Sequence, residues 1–363
     1  MSLLLIAFAG SLLVTMLVIR LSKSRVLRAL DHDLSGPQKF HAKPVPRIGG
    51  VGIFSGVMAG IGWLWWSGHH SDALAAQLMA CSLPAFASGL TEDLTKTQSP
   101  RRRLFFTAVA AGLAAWFLGA LIQRTELPGL DWVVGNRWGA ALVTVFVVAG
   151  VANAINIIDG MNGLASMSAA LILVSIGYVA FQVGDYTVLA LAVAGTGAVL
   201  GFFIWNFPLG LVFLGDGGAY FLGFYVAELA ILLLQRNPSV SPMFPLLVCI
   251  YPVFETVFSI YRRKVLRGQP VGMPDGIHLH SLIYRRAMRW AVGRDLARSR
   301  VRRNSMTSPY LWMLCMLAVL PAMLWYDSTP VLAGFIGLFV LVYSSLYWRI
   351  VRFRAPRWLV RRH

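Results

Sequence analysis

Residues Trp138–Gln182 read WGAALVTVFVVAGVANAINIIDGMNGLASMSAALILVSIGYVAFQ, and within them Asp159 is the one charged side chain. Two apolar runs, 138–155 and 164–182, flank a polar turn broken by Gly160 and Gly163. Each run approaches the roughly 20 apolar residues with which a helix crosses a bilayer. The pattern recurs along the whole chain. Eleven such segments fall near 2–19, 48–67, 73–90, 104–122, 138–155, 164–182, 186–204, 217–234, 243–260, 309–326 and 331–348. The 363 residues are 57% hydrophobic and 13% charged, with a mean hydropathy of +0.67. A soluble domain carries about 25% charged residues, so an ordinary cytosolic enzyme, a disordered chain and a disulfide scaffold are excluded. Cys81, Cys249 and Cys315 lie inside apolar stretches with no CxxC spacing, which indicates neither a metal site nor a redox motif. The sequence predicts an all-α polytopic membrane protein, a single domain over 1–363, with about eleven transmembrane helices, or ten if two neighbouring segments merge.

The net charge of +17 would suit nucleic acid, but its distribution points to a lipid bilayer instead. Alternate connections, 20–47, 91–103, 153–163, 205–216 and 261–308, together with the tail 349–363, hold 29 of the 32 Lys and Arg. The opposite face receives Arg124, Arg137 and Arg236. Positive charge collects on the cytoplasmic side of membrane proteins. The N-terminus is therefore expected outside and the basic C-terminal tail inside, with no nucleic-acid partner. Residues 2–19 lack a positive start, and the cations Arg20, Lys23, Arg25 and Arg28 follow the apolar run, unlike a cleavable signal peptide. The acids of the short outer turns, Asp72, Glu126, Asp131, Asp185 and Asp327, read as solvated loop charges.

Polar residues cluster on the predicted inner face. Asp216 stands between Gly215 and Gly217 at the end of an apolar run. A bare carboxylate there needs a cation or donors, so it is either a helix N-cap or a metal ligand. Asn153, Asn156, Asp159 and Asn162 recur every third residue, a spacing that lines one helix face. Such oxygen donors suit Mg²⁺; asparagines at helix–helix contacts are the structural alternative. Glu92 and Asp93 are adjacent acids, a setting for a base or nucleophile when a cation lies close. The run Arg101 to Arg103 reads most economically as a topology anchor. His41, Lys43 and Arg47 precede the second segment, and His278 and His280 lie in a loop with 12 Lys/Arg against two acids. Zinc lacks a third ligand at the usual spacing, and phosphate is the better match for those histidines.

The ordered set HAKPVPRIGG (41–50), GLTEDLTK (89–96), NAINIIDGMNGLA (153–165), FLGDGG (213–218) and PDGIHLH (274–280) resembles the polyprenyl-phosphate N-acetylhexosamine-1-phosphate transferases. Eleven spans with a cytoplasmic C-terminus look more like the branch of bacterial glycosyltransferase family 4 that initiates O-antigen and enterobacterial antigen. The resemblance implies an enzyme that transfers a sugar-1-phosphate from a UDP-N-acetylhexosamine to polyprenyl (undecaprenyl) phosphate, releasing UMP. It also implies Mg²⁺, or Mn²⁺, as cofactor, and a bacterial inner-membrane location with the active site facing the cytoplasm. By motif position it implies Asn156 and Asp216 as metal ligands and Asp93, Glu92 and Asp159 as catalytic acids. Asp93 would act as base or as nucleophile. Substrate binding would fall to His41, Lys43, Asn153, Asn162, His278 and His280, with Asn162 at the nucleotide base. Three positions depart from the usual pattern: Glu92 and Asn162 stand where Asp is common, and Ser281 where many relatives carry a further histidine.

Glu228 and Glu255, acids within apolar segments, suggest two rival readings. One is a transporter, because intramembrane acids mark ion pathways. The other is a catalytically silent member binding lipid through its basic surface. Retention of the proposed metal ligands favours the enzyme.

Overall fold

The computed structural model describes residues 1–23, 30–31, 45–68, 72–266, 268, 276–288 and 297–352. Helices α1 (Ser2–Lys23), α2 (Gly50–Trp66), α3 (Asp72–Thr95) and α4 (Pro100–Phe117) are followed by the short α5 (Leu130–Val134). Then come α6 (Arg137–Ile158), α7 (Leu164–Gln182), α8 (Tyr186–Asn206) and α9 (Gly215–Arg236). The chain closes with α10 (Met243–Val248), α11 (Ile250–Tyr261), α12 (Leu279–Leu282), α13 (Ala297–Leu324) and α14 (Thr329–Val351). Eight of these, α1, α3, α6, α7, α8, α9, α13 and α14, are long and apolar enough to cross a membrane. The other three predicted segments are also helical. α2 has only 17 residues, α4 opens on three arginines, and α10 and α11 are separated at Cys249. One departure from an all-helical chain is a two-residue antiparallel pairing of Leu30–Asp31 with Val45–Pro46.

Three predicted loops are partly helix. α3 runs on to Thr95, so Glu92 and Asp93 sit on its last turn. α4 begins at Pro100, with the Ser99 side chain accepting the Arg102 N–H at 3.3 Å, so Arg101 to Arg103 form its first turn. α13 starts at Ala297, well before the apolar run at 309. Hydropathy marks the bilayer, whereas a helix can run on through polar residues, and 297–308 contains neither Gly nor Pro to discourage it.

α9 is the axis of the bundle: every residue from Gly215 to Leu234 is buried. A helix apolar on all sides belongs inside. Its neighbours approach closely because small residues face it, as at membrane helix contacts generally. A Cβ on Gly89 of α3 would lie 2.6 Å from the Asp216 carbonyl carbon, and one on Gly50 of α2 would collide with Gly218. These contacts lock the ends of α2 and α3 against the start of α9.

Candidate active site

The first turn of α9 presents N–H groups that no intrahelical carbonyl can reach. Asp93, from the end of α3, takes two of them: Oδ1 accepts the Asp216 N–H and Oδ2 the Gly217 N–H, each at 2.9 Å. A carboxylate at a helix N-terminus also meets the positive end of the helix dipole. Gly215, at φ +75°, makes the tight entry, and a Cβ there would strike the Arg47 carbonyl and lie 2.6 Å from Asp93 Oδ2. Asp93 is only 3% exposed.

The Asp216 side chain gathers partners from three elements. Asn156 Nδ2, from the last turn of α6, donates to Oδ1 at 2.9 Å. Arg103 pairs with Oδ2 from the first turn of α4, and its guanidinium also stands over the Tyr220 ring, 5.7 Å from the centroid. Arg47 lies 3.6 Å from Oδ1. Backbone pairing brings Arg47 there: the Phe213 N–H donates to the Pro46 carbonyl at 2.9 Å, and the Gly49 N–H to the Phe213 carbonyl at 3.0 Å. Asn153 joins one turn earlier on α6, its Oδ1 accepting the Tyr220 hydroxyl at 3.4 Å. Asp159 ends α6 as its C-cap. Burial pushes the Asp159 carboxyl up to about 7, against the opposing pull of Arg47 and the Gly215 N–H.

Five sequence-predicted residues thus converge on one end of the bundle: Asp93, Asn153, Asn156, Asp159 and Asp216. Arg103 belongs with them, which corrects its reading as a topology anchor. Three successive arginines on a helix point about 100° apart, and only the third turns inward. Glu92 is not brought in. Its Oε2 accepts the Gln98 N–H at 2.6 Å and so closes the α3–α4 turn. Asn162 is 5% exposed and built into a knot with α13, in place of the solvent-facing contact expected of a nucleotide-binding side chain. Its N–H donates to Asn304 Oδ1 at 2.6 Å, its amide to Ser305 Oγ at 3.1 Å and to the Pro208 carbonyl at 3.3 Å. Its carbonyl accepts the Ser308 hydroxyl at 2.6 Å. His41, Lys43 and Asp275 lie outside the described residues.

His278 and His280 stack with ring centroids 5.3 Å apart and planes 5° from parallel. A Cβ on Gly160 would lie 2.7 Å from His280 Nε2, so this turn docks on the Asp159–Gly160 turn. Glu255, one of the two intramembrane acids, contacts His278 Nδ1 at 2.9 Å. Glu228 is wholly buried in α9, and neither carboxyl oxygen has a hydrogen-bond partner among the described residues. At the far end of the bundle Asp185 is not a solvated loop charge. It caps α8 through the Val188 N–H and binds Arg236 Nε at 2.7 Å and Asn237 Nδ2 at 3.1 Å. Asp131 is exposed, as a solvated loop charge should be, and accepts the Thr125 N–H and hydroxyl at 2.6 and 2.7 Å.

Among the described residues no three His, Cys, Asp or Glu stand close enough to cage a metal ion. The adjoining Asp216 carboxylate and Asn156 amide fit a partial donor set. That is the pattern of Mg²⁺, which binds through one or two carboxylates and completes its shell with water and substrate phosphate.

Membrane-length helices whose ends collect acids, amides and guanidinium groups define a polytopic membrane protein with a polar site at one end of its bundle. Comparison with known proteins makes the assignment sharper. Residues 75–234 match Glycosyl transferase family 4. The chain is 30% identical over 276 residues, 76% of its length and 75% of the relative's, to a probable undecaprenyl-phosphate N-acetylglucosaminyl 1-phosphate transferase of Bacillus subtilis. It is 28% identical over 71% of its length, and 74% of the relative's, to the undecaprenyl-phosphate alpha-N-acetylglucosaminyl 1-phosphate transferase of Thermotoga maritima. A phospho-N-acetylmuramoyl-pentapeptide-transferase of Geobacillus thermodenitrificans is 28% identical over 62% of this chain and 74% of its own. The chain belongs to glycosyl transferase family 4.

Proposed function

We propose that this protein transfers an N-acetylhexosamine-1-phosphate from a UDP-sugar to a polyprenyl phosphate such as undecaprenyl phosphate. UMP is released, and the lipid-linked product starts a cell-surface polysaccharide such as O-antigen. The observation that carries this reading is the meeting of Asp216, Asn156, Asp93, Arg103 and Arg47 at converging helix ends. Relatives named as a probable undecaprenyl-phosphate N-acetylglucosaminyl 1-phosphate transferase and an undecaprenyl-phosphate alpha-N-acetylglucosaminyl 1-phosphate transferase align over 76% and 71% of the chain.

Both substrates are anionic, and breaking a diphosphate while forming another builds charge on the transferred group. Fixed cations aimed at that charge are the main source of rate in phosphoryl transfer. Arg47 and Arg103 serve that purpose, and in the resting site each has Asp216 as counter-ion. Asp216 and Asn156 would hold Mg²⁺, which when bound supplies further neutralisation of the diphosphate. Asp93 positions the group by fixing the backbone of Asp216. Asp93 or Asp159, the latter with its carboxyl near 7, takes the last proton from the acceptor phosphate as general base. The histidine turn at 278–280 meets the sugar phosphate. A cytoplasmic orientation is supported by the 29 of 32 cations on the connections of that face.

The test is purified protein in detergent with undecaprenyl phosphate and a panel of UDP-N-acetylhexosamines. UMP should appear with one donor, require the lipid and stop on chelation. No release with any donor would refute the reading.

A further inference from the structure

Glu255 lies in the apolar helix α11, 1% exposed, yet three donors converge on it. Its Oε1 contacts His278 Nδ1 at 2.9 Å and accepts the Leu279 N–H at 3.1 Å; its Oε2 accepts the Tyr343 hydroxyl at 2.7 Å. An ionised carboxylate only accepts, so Nδ1 of His278 carries its proton toward Glu255. Two turns on, in the π-helical turn that follows α11, Arg262 NH1 donates to the Ile277 carbonyl at 2.7 Å and to the Tyr347 hydroxyl at 2.7 Å. The Tyr347 hydroxyl in turn donates to the Ile277 carbonyl at 3.2 Å. Tyr343 and Tyr347 are four apart on α14, one above the other. The turn 277–279 is therefore gripped by one acid, one guanidinium and the Tyr347 phenol, with the Tyr343 phenol behind the acid, and all four are buried.

We propose that this clamp positions His278 for catalysis, which makes Glu255 and Tyr343 positioning residues acting through the imidazole and makes α14 part of the site's construction. The inference rests on the transferase reading above. A carboxylate behind a functional imidazole fixes both its tautomer and its ring orientation. Loss of such supporting partners lowers activity about 10–100-fold at histidine metal sites, and a comparable loss is expected here. The clamp also sets His280, stacked on His278, against Gly160 beside Asp159.

The experiment uses full-length protein in detergent with ¹⁵N-histidine labelling, the His278 signals being those lost in His278→Gln. In the wild type His278 should be protonated at Nδ1, and Glu255→Gln should shift that signal. Glu255→Gln should lower kcat/KM about 10–100-fold, Tyr343→Phe by a smaller factor, and Glu255→Gln with His278→Gln should be no worse than His278→Gln alone. Tyr343→Phe keeps the ring in place and tests the clamp if Glu255→Gln fails to fold. Losses that multiply in the double variant, or an unmoved His278 signal with wild-type kcat/KM, would overturn the proposal. The two failures are distinguishable: wild-type protein without UMP release defeats the transferase reading, whereas the imidazole signal reports the clamp irrespective of turnover.

Discussion

At the scale of single residues, neighbouring acids have different fates. Asp93 holds two backbone N–H groups of α9, while Glu92, one residue earlier, closes a turn. Asp93→Asn leaves one of those N–H groups facing an amide donor, and UMP release should fall at least about 100-fold, since misplacing a reacting group by 1 Å costs that much. Glu92→Gln keeps an acceptor for Gln98 and should stay within about threefold, as substitutions away from the core and the site usually do. Equal losses would contradict this division. Asp159 gives a pH signature. With its carboxyl near 7 it must be unprotonated to accept a proton, so kcat/KM should rise as pH increases through 7. Asp159→Asn should abolish that limb; a profile unchanged in the variant would remove the assignment. The motifs made Asp93, Asn156 and Asp216 legible because polar residues beside glycines are conspicuous in an apolar chain. Arg103 and the knot around Asn162 were not. The first depends on which of three adjacent arginines faces α9, and the second on partners more than 140 residues away.

At the scale of elements, hydropathy located the eight membrane-length helices among the described residues but not where each one ends. α3, α4 and α13 all extend into stretches whose charge marks them as loops. Those extensions carry Asp93 and Arg103 into the site, so the end that hydropathy misses is the end that functions. The join between α2 and α9 depends on Gly50 touching Gly218. Gly50→Ala forces the helices apart and should lower the melting temperature and activity together; overpacking a tight contact typically costs about 1–3 kcal/mol. A variant melting like wild type would show that the contact gives way easily. Asp185 ties α8 to α9 at the opposite end. Burial pushes its carboxyl up, but Arg236, Asn237 and the Val188 N–H outweigh that and hold it below the ordinary range. A depressed folded value stabilises above the unfolded one, near 3.8, and that stability drains away as pH falls through the folded value. Asp185→Ala should therefore cost about 1–2 kcal/mol at pH 7, with the gap to wild type closing under strong acid. A gap that is constant with pH would mean the carboxylate's charge contributes nothing.

At the scale of the whole molecule, charge asymmetry and the site coincide. The helix ends that build the acid cluster lie on the same predicted face as the connections that collect Lys and Arg, although 153–163 and 205–216 themselves carry none. With Cys81, Cys249 and Cys315 all buried, exposed positions report topology cleanly. Ser239→Cys should react with a membrane-impermeant thiol reagent on intact cells, and Lys96→Cys only after the membrane is opened; the reverse pattern would invert the orientation. The central claim is that Asp216 and Asn156 together prepare a cation-assisted phosphate transfer. Its most direct measurement is UMP release from a UDP-N-acetylhexosamine and undecaprenyl phosphate by wild type and Asp216→Asn, with and without Mg²⁺. The wild type should turn over only with the metal, and Asp216→Asn should fall by about 1000-fold, the scale of losing one charge-stabilising group. Metal-dependent turnover that survives in Asp216→Asn at the wild-type rate would contradict the account.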